Sequence, residues 1–229
     1  MTITPTKLTR VAGLSAVVAG LLFIAIQVKH PTLDVAFTTT TEWKVRQGVK
    51  VLMATLSLVG ITGMYLRQVT KTGLLGLVGY VLFAIAYLIM LSIEVAGLVV
   101  IPAIAHSAPG YVTDVLTAAT GGQPTGDIGL MQPLSMLNGV TYIAGGVLFG
   151  IALFRARILA RWAAALLAVG AVSTIGVSVL PQVNYRLFAI PTGVAMVGLG
   201  YSLWRHEARH DLSSETGSNP SHAASMSAT

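Results

Sequence analysis

The chain contains no cysteine and few charged residues. The absence of cysteine excludes disulfides, thiolate metal sites and thiol nucleophiles. Charged side chains make up 10% of the 229 residues and hydrophobic side chains 54%. This composition leaves too little polar surface for a soluble globular protein, and it predicts a polytopic membrane protein of the cell membrane.

The acidic residues are scattered, which excludes several enzyme classes. There is neither a DDxxD nor a DxDD motif, because the four aspartates stand alone: Asp34, Asp114, Asp127 and Asp211. The motifs G-x-S-x-G, H-E-x-x-H and G-x-x-x-x-G-K-[ST] are also absent. Because the histidines lack metal-ligand spacing, we expect neither a metal nor a cofactor.

Basic residues exceed acidic ones and give a net charge of +6. They fall in short clusters between apolar runs, where the positive-inside rule accounts for them, so we expect no nucleic-acid partner. Placing both termini in the cytoplasm puts nine Lys and Arg residues inside and five outside. It also places the long loop 106–133, which has no Lys or Arg, outside.

Six apolar stretches are long enough to cross a bilayer, which takes about 20 helical residues. They are residues 11–28, 48–66, 73–105, 134–154, 158–180 and 187–204. We therefore predict an all-α fold, with a six-helix transmembrane domain over residues 1–204 and a disordered polar cytoplasmic tail over residues 205–229.

Glu94 is the only acidic residue deep within an apolar stretch. An ionisable group in the bilayer is costly unless it is protonated, paired or hydrated, so it marks a functional site by default. Tyr80 and Tyr87 precede it at seven-residue spacing and share its helix stripe, with Phe83 beside them. In apolar surroundings Glu94 would stay protonated and could donate a proton to an alkene, whose carbocation the rings would stabilise.

Further polar residues are predicted to lie near the same depth. Asn138 and Tyr142 share one face of the fourth span and are candidates either to bind a substrate's polar end or to bond a neighbouring helix. Thr39 and Glu42 match a capping box at the start of the second span. Glu42 also has a local partner four residues on.

Three charged residues are candidates for a second acid or a charge partner of Glu94: Glu42, Arg46 and Lys50. Trp43 among them is either an interface anchor or part of the aromatic wall.

The cysteine-free bundle with a single intramembrane glutamate near aromatics and no diphosphate motif resembles the small membrane-integral terpene cyclases of actinobacteria, which act on farnesylated indoles. This resemblance covers the membrane body. It implies proton-initiated, cofactor-independent cyclisation of a lipophilic prenylated aromatic, with Glu94 as the general acid.

The sequence leaves a second function open. Glu94 could instead couple proton movement to transport, or bind a solute, with a basic residue as its partner. The length of the third span and Pro102 within it are typical of the broken helices of transporters.

Overall fold

The computed structural model describes residues 4–27, 31–176 and 185–217, the last range with side chains from 187 to 205. These residues are helical throughout, apart from turns and loops. The elements are α1 (Pro5–Ala25), α2 (Val35–Thr38), α3 (Thr41–Ile104), α4 (Pro109–Ala119), α5 (Met131–Ala156), α6 (Arg161–Ser173), a 3₁₀ turn (Tyr185–Ala189) and α7 (Ile190–Gly217).

Side-chain caps set the starts of the first three helices. The hydroxyl of Thr4 accepts a bond from the Lys7 amide at 3.3 Å, directly before a proline that suits the first turn. Thr40 caps α3 by accepting from the Trp43 amide at 3.1 Å. The predicted capping box is therefore wrong, because the cap is Thr40 and not Thr39. Thr39 is the residue that follows α2, and its hydroxyl donates to the Ala36 carbonyl.

The 64-residue helix α3 reverses direction in its middle. A straight helix of that length would extend about 96 Å, three times the hydrocarbon core. The backbone leaves helical geometry at Gln68 and again at Gly73, where φ is +57° and only glycine is unstrained. We call residues 41–67 α3a and residues 74–104 α3b. The two halves pack antiparallel, since Trp43 bonds Gly97 and Thr62 contacts Tyr80.

The helices form a closed ring. The order of packing neighbours is α3a, α1, α7, α6, α5, α3b and back to α3a. The core inside the ring is apolar and aromatic. Its largest fully buried side chains include Ile61, Met64, Phe83, Tyr87, Phe149, Leu153, Leu167, Met196, Leu199 and Leu203. Leu and Val side chains also cover much of the outward surface, as expected for helices in contact with lipid.

Small residues allow the helices to approach closely. Gly145 of α5 lies directly against the backbone of Phe83, and Gly79 lies against that of Phe149. Between α1 and α7, a Cβ atom on Gly13 would come within 2.8 Å of the Gly200 carbonyl. Backbone contacts of this kind stabilise helix pairs in membranes, where lipid offers no hydrophobic driving force for association.

Within the described ranges, four helices are long and apolar enough to cross a membrane: Pro5–Ala25, Thr41–Ile104, Met131–Ala156 and Leu187–Arg205. The fifth predicted stretch, 158–180, corresponds to α6, a 13-residue helix. The last four positions of that stretch, 177–180, lie outside the described residues.

The helix α7 continues beyond the apolar stretch, as far as Gly217. Residues 205–217, assigned to a disordered tail by their polar composition, are thus helical in the structure. The run Arg205-His-Glu-Ala-Arg209 contains strong helix formers, which favour the continuation of α7. Residues 218–229 of the predicted tail lie outside the described residues.

The close approach at Gly145 predicts a large effect from one methyl group. Gly145→Ala places a Cβ atom against the Phe83 backbone, so the free energy of unfolding falls by about 1–3 kcal/mol. The control is Gly139→Ala on the same helix, where a Cβ atom meets nothing within 4 Å and the change stays within about 0.5 kcal/mol. Thermal unfolding in detergent measures both variants, and equal melting temperatures would contradict the packing.

Candidate functional site

Glu94 on α3b forms an ion pair with Lys50 on α3a. Lys50 Nζ donates to Glu94 Oε2 at 3.3 Å, and the two side chains are only 22% and 16% exposed. Forty-four residues separate them along the chain, and the reversal at Gln68 and Gly73 brings them together. Each lies about nine or ten residues from an end of its helix, so the pair sits roughly 15 Å inside it.

The ion pair bears on two expectations about Glu94. The sequence predicts either a protonated acid in apolar surroundings or a carboxylate with a basic partner. The structure brings the ammonium group of Lys50 into hydrogen-bond contact with the carboxylate. The site therefore contains a charge pair, in which Lys50 occupies one oxygen of the Glu94 carboxylate.

A polar contact fixes the helix one turn beyond Glu94. The indole nitrogen of Trp43 donates to the Gly97 carbonyl at 2.8 Å, and both groups are buried. The amide of Gln47 lies over the Cα atom of Gly97, in space that any side chain at that position would fill. Trp43 and Gln47 thus hold α3a and α3b together about one turn beyond the ion pair.

Glu42 and Arg46 form a separate pair nearer the start of α3a. Arg46 Nε donates to Glu42 Oε1 at 2.8 Å, and the Glu42 side chain is 57% exposed. Arg46 also reaches the Ile26 carbonyl at the end of α1, at 3.3 Å. Of the three candidate partners, the structure brings Lys50 to Glu94 and places Glu42 and Arg46 in this outer pair.

The predicted aromatic stripe points toward α3a. Tyr80, Tyr87 and Glu94 face Thr62, Ser57 and Lys50, respectively. The ring of Tyr80 stacks on Tyr65 with centroids 4.6 Å apart.

Phe83 and Tyr87 lie inside the ring, where they contact α5. The centroid of Phe83 is 4.9 Å from that of Tyr87 and 5.2 Å from that of Tyr142. Phe149 lies at the far side of Phe83, at 6.5 Å. These four rings form a continuous aromatic core two turns or more from the carboxylate.

Trp43 does not belong to this aromatic core. It contacts Phe37 edge to face at 5.8 Å and packs with Ile101, Val112 and Leu116. This smaller cluster attaches α4 to the end of the α3 hairpin. Trp43 therefore acts in the structure as an anchor between helices, and the carboxylate separates it from Tyr80, Phe83 and Tyr87.

Asn138 of α5 lies between the ion pair and the aromatic core, to which Tyr142 belongs. Gly145 packs on Phe83, so the antiparallel register of α3b and α5 places Asn138 level with residue 90, one turn from Glu94. The Asn138 Oδ1 atom is buried and makes no hydrogen bond in the structure. The Tyr142 ring meets Tyr87 at 6.0 Å.

Two polar residues that the sequence analysis did not single out also reach this region. Ser57 of α3a faces the Tyr87 hydroxyl, and Thr192 of α7 faces that of Tyr142. Both are almost completely buried, at 1% and 0% exposure. Isolated Ser and Thr residues are common in membrane helices, where they often bond their own backbone, so the sequence carries no signal that distinguishes these two.

The loop between α4 and α5 is ordered by one carboxylate outside the apolar helices. Asp114 accepts from the Thr125 amide at 2.8 Å and from the Gly126 amide at 2.9 Å. The Thr125 amide is the main cause of a lowered pKa at Asp114. Since the folded-state pKa is depressed, this contribution to stability is present at neutral pH and is lost as the pH falls through that lowered pKa.

The ion pair predicts unequal costs for two charge deletions. Glu94→Gln leaves the Lys50 ammonium without a charged partner, so the free energy of unfolding falls by up to about 3–5 kcal/mol. The matched control Glu42→Gln breaks the exposed pair and costs less than about 1 kcal/mol.

The exchanged double variant Lys50→Glu with Glu94→Lys restores the attraction and recovers most of the loss. Unfolding of all variants is measured in the same detergent. A Glu94→Gln variant as stable as Glu42→Gln would show that the pair contributes nothing.

The chain was compared with protein-family models, curated proteins and solved structures, and none of these comparisons gives a match. The resemblance to membrane-integral terpene cyclases stays a prediction from architecture. Function is therefore inferred from the residues of this chain and their geometry.

Proposed function

We propose that the chain is a six-span membrane protein in which the Lys50–Glu94 pair couples protonation to the binding and passage of a small carboxylate-bearing solute. The ion pair between the two halves of α3 is the observation that carries this proposal. Paired charges within transmembrane segments are rare and mark solute and proton pathways.

Six crossings follow if each half of α3 counts as a span. At about 40 and 46 Å, α3a and α3b both exceed the hydrocarbon core of about 30 Å. Helices α1, α5 and α7 supply three more crossings, and the sixth is the apolar stretch 158–180, of which the structure describes α6. An even number of spans places both termini on one side. The excess of Lys and Arg at that side makes it the cytoplasmic one.

The proposed exchange conserves charge at the site. When Glu94 takes up a proton, its attraction for Lys50 is lost, and the ammonium group becomes free to bind the carboxylate of a solute. When Glu94 loses that proton, it competes for Lys50 and displaces the solute. One proton and one negative charge therefore enter and leave the site together, which avoids an unpaired charge in the membrane.

Proton-coupled uptake in liposomes tests this proposal. Purified protein is reconstituted with an internal pH-sensitive dye, and small dicarboxylates and amino acids are added outside at acidic pH. We expect internal acidification with at least one solute, reduced at least about tenfold by Glu94→Gln and by Lys50→Met. The control Glu42→Gln keeps the wild-type rate. Equal rates in Glu94→Gln and wild type would contradict the proposal.

A proton-initiated terpene cyclase is the second candidate, and the aromatic core favours it. Tyr80, Phe83 and Tyr87 lie on the same helix as Glu94, and Tyr142 of α5 contacts the rings of Phe83 and Tyr87. Ring faces of this kind stabilise carbocations. In this function Lys50 would first have to release Glu94, so that a protonated acid meets the prenyl chain, while Asn138 and Tyr142 position its polar end.

Deuterium incorporation tests the cyclase function. Membranes containing the protein are incubated in deuterium oxide with 3-farnesylindole and related polyprenyl aromatics. A cyclase yields an isomeric product that carries one deuterium, and Glu94→Gln abolishes it while Glu42→Gln does not. If wild-type membranes give no such product from any substrate, the cyclase is excluded for this substrate class.

A further inference from the structure

Four hydroxyl groups from four different helices converge at the centre of the ring. Ser57 comes from α3a, Tyr87 from α3b, Tyr142 from α5 and Thr192 from α7. Each of these residues is at least 95% buried. The Tyr87 hydroxyl faces Ser57 and Tyr142, and the Tyr142 hydroxyl also faces Thr192. We call these four residues the hydroxyl cluster.

Most of the cluster's hydrogen-bonding capacity is unused. Each hydroxyl can donate one hydrogen bond and accept two. The oxygen atoms of Tyr87, Tyr142 and Thr192 are fully buried, and none has a partner at full hydrogen-bond geometry, although each faces another member of the cluster. Buried polar groups without partners are strongly unfavourable in an apolar environment, so a small polar molecule bound at the cluster would stabilise it.

Close packing around the cluster keeps these groups together. Gly170 of α6 lies directly behind Thr192, where a Cβ atom would come within 2.6 Å of its hydroxyl oxygen. The Tyr87 and Tyr142 rings meet at 70°, and both hydroxyl oxygens are buried. A larger side chain at position 170 would push Thr192 away from Tyr142.

The cluster is also aligned with the ion pair. Ser57 and Tyr87 lie seven residues from Lys50 and Glu94 on the same two helices, about 10 Å deeper. Asn138, with its buried and unbonded Oδ1 atom, lies between the two levels. Polar groups therefore recur along the inside of the α3 hairpin from the ion pair to the centre.

We propose that Ser57, Tyr87, Tyr142 and Thr192 form a water-binding site at the centre of the helix ring. Water fits because it donates and accepts, and because a buried water typically contacts two to four polar groups. The site is the inner end of a hydrated route that Asn138 continues toward Lys50 and Glu94. It does not depend on whether the ion pair moves a solute.

Isotope exchange at introduced thiols tests the site, because the chain has no cysteine of its own. Ser57→Cys and Thr192→Cys are each examined by infrared spectroscopy after transfer of reconstituted protein into deuterium oxide. The S–H stretching band disappears as the thiol exchanges with water. The control is Ala164→Cys, a fully buried position in the apolar packing of α6.

We expect both cluster thiols to exchange at least about ten times faster than the control thiol, because only they meet water in the folded state. Equal, slow exchange at all three positions would overturn the proposal. No solute is present in this experiment, so its failure would leave the exchange proposed for Lys50 and Glu94 untouched.

Removal of the hydroxyl groups provides the second measurement. Tyr87→Phe and Tyr142→Phe each lower the melting temperature by about 2–4 °C, because the bound water loses a hydrogen-bond partner. Tyr201→Phe, at a half-exposed ring of α7, leaves it unchanged. An unchanged or higher melting temperature in the cluster variants would show that the hydroxyls bind nothing. Loss of stability without thiol exchange would indicate direct hydroxyl–hydroxyl bonds and would also overturn the water site.

Discussion

The antiparallel contact between α3a and α3b is the constraint on which the rest of the structure depends. It exists because the backbone leaves the helix at Gln68 and reverses at Gly73, a position that tolerates positive φ. The contact joins a lysine and a glutamate that are remote in sequence. It also presents Tyr80 and Tyr87 to α3a, and Phe83 to α5. A charge pair, a hydroxyl cluster and an aromatic core thus follow from one hairpin.

Polar and apolar groups divide the interior by depth. The ion pair lies about 15 Å inside the ends of α3a and α3b, with Trp43 and Gln47 beyond it. Toward the centre come Asn138 and the hydroxyl cluster, and beyond these Phe83 and Phe149 fill the ring. Because membrane helices gain little from burying apolar surface, the close contacts at Gly79 and Gly145 must hold this arrangement together.

Much of the fold could be predicted from the sequence, because apolar runs of the right length define membrane helices without reference to their neighbours. The ends of the helices were predicted less accurately. Helix α3 begins at Thr41, seven residues before the predicted span, because the Thr40 cap and polar first turns extend the helix beyond its apolar part. Glu94 stood out because a lone carboxylate is costly in lipid.

Its partner could not be predicted, since Glu42, Arg46 and Lys50 share a helix face and only the register of the hairpin selects among them. Ser57 and Thr192 were missed for the same reason. A hydroxyl becomes informative only when helices distant in sequence bring others beside it, as α7 does here for Tyr142.

The hydrogen bond from Trp43 to the Gly97 carbonyl holds the backbone at the site without using its charged side chains. The helical turn next to Glu94 is bound to α3a by the hydrogen bond from the Trp43 indole to the Gly97 carbonyl. Neither of these two groups titrates. The exchange proposed for Lys50 and Glu94 would therefore need only rotation of their own side chains, while the two backbones stay in register. Switching at this site would be a local event of the kind that takes nanoseconds, rather than a rearrangement of the whole bundle.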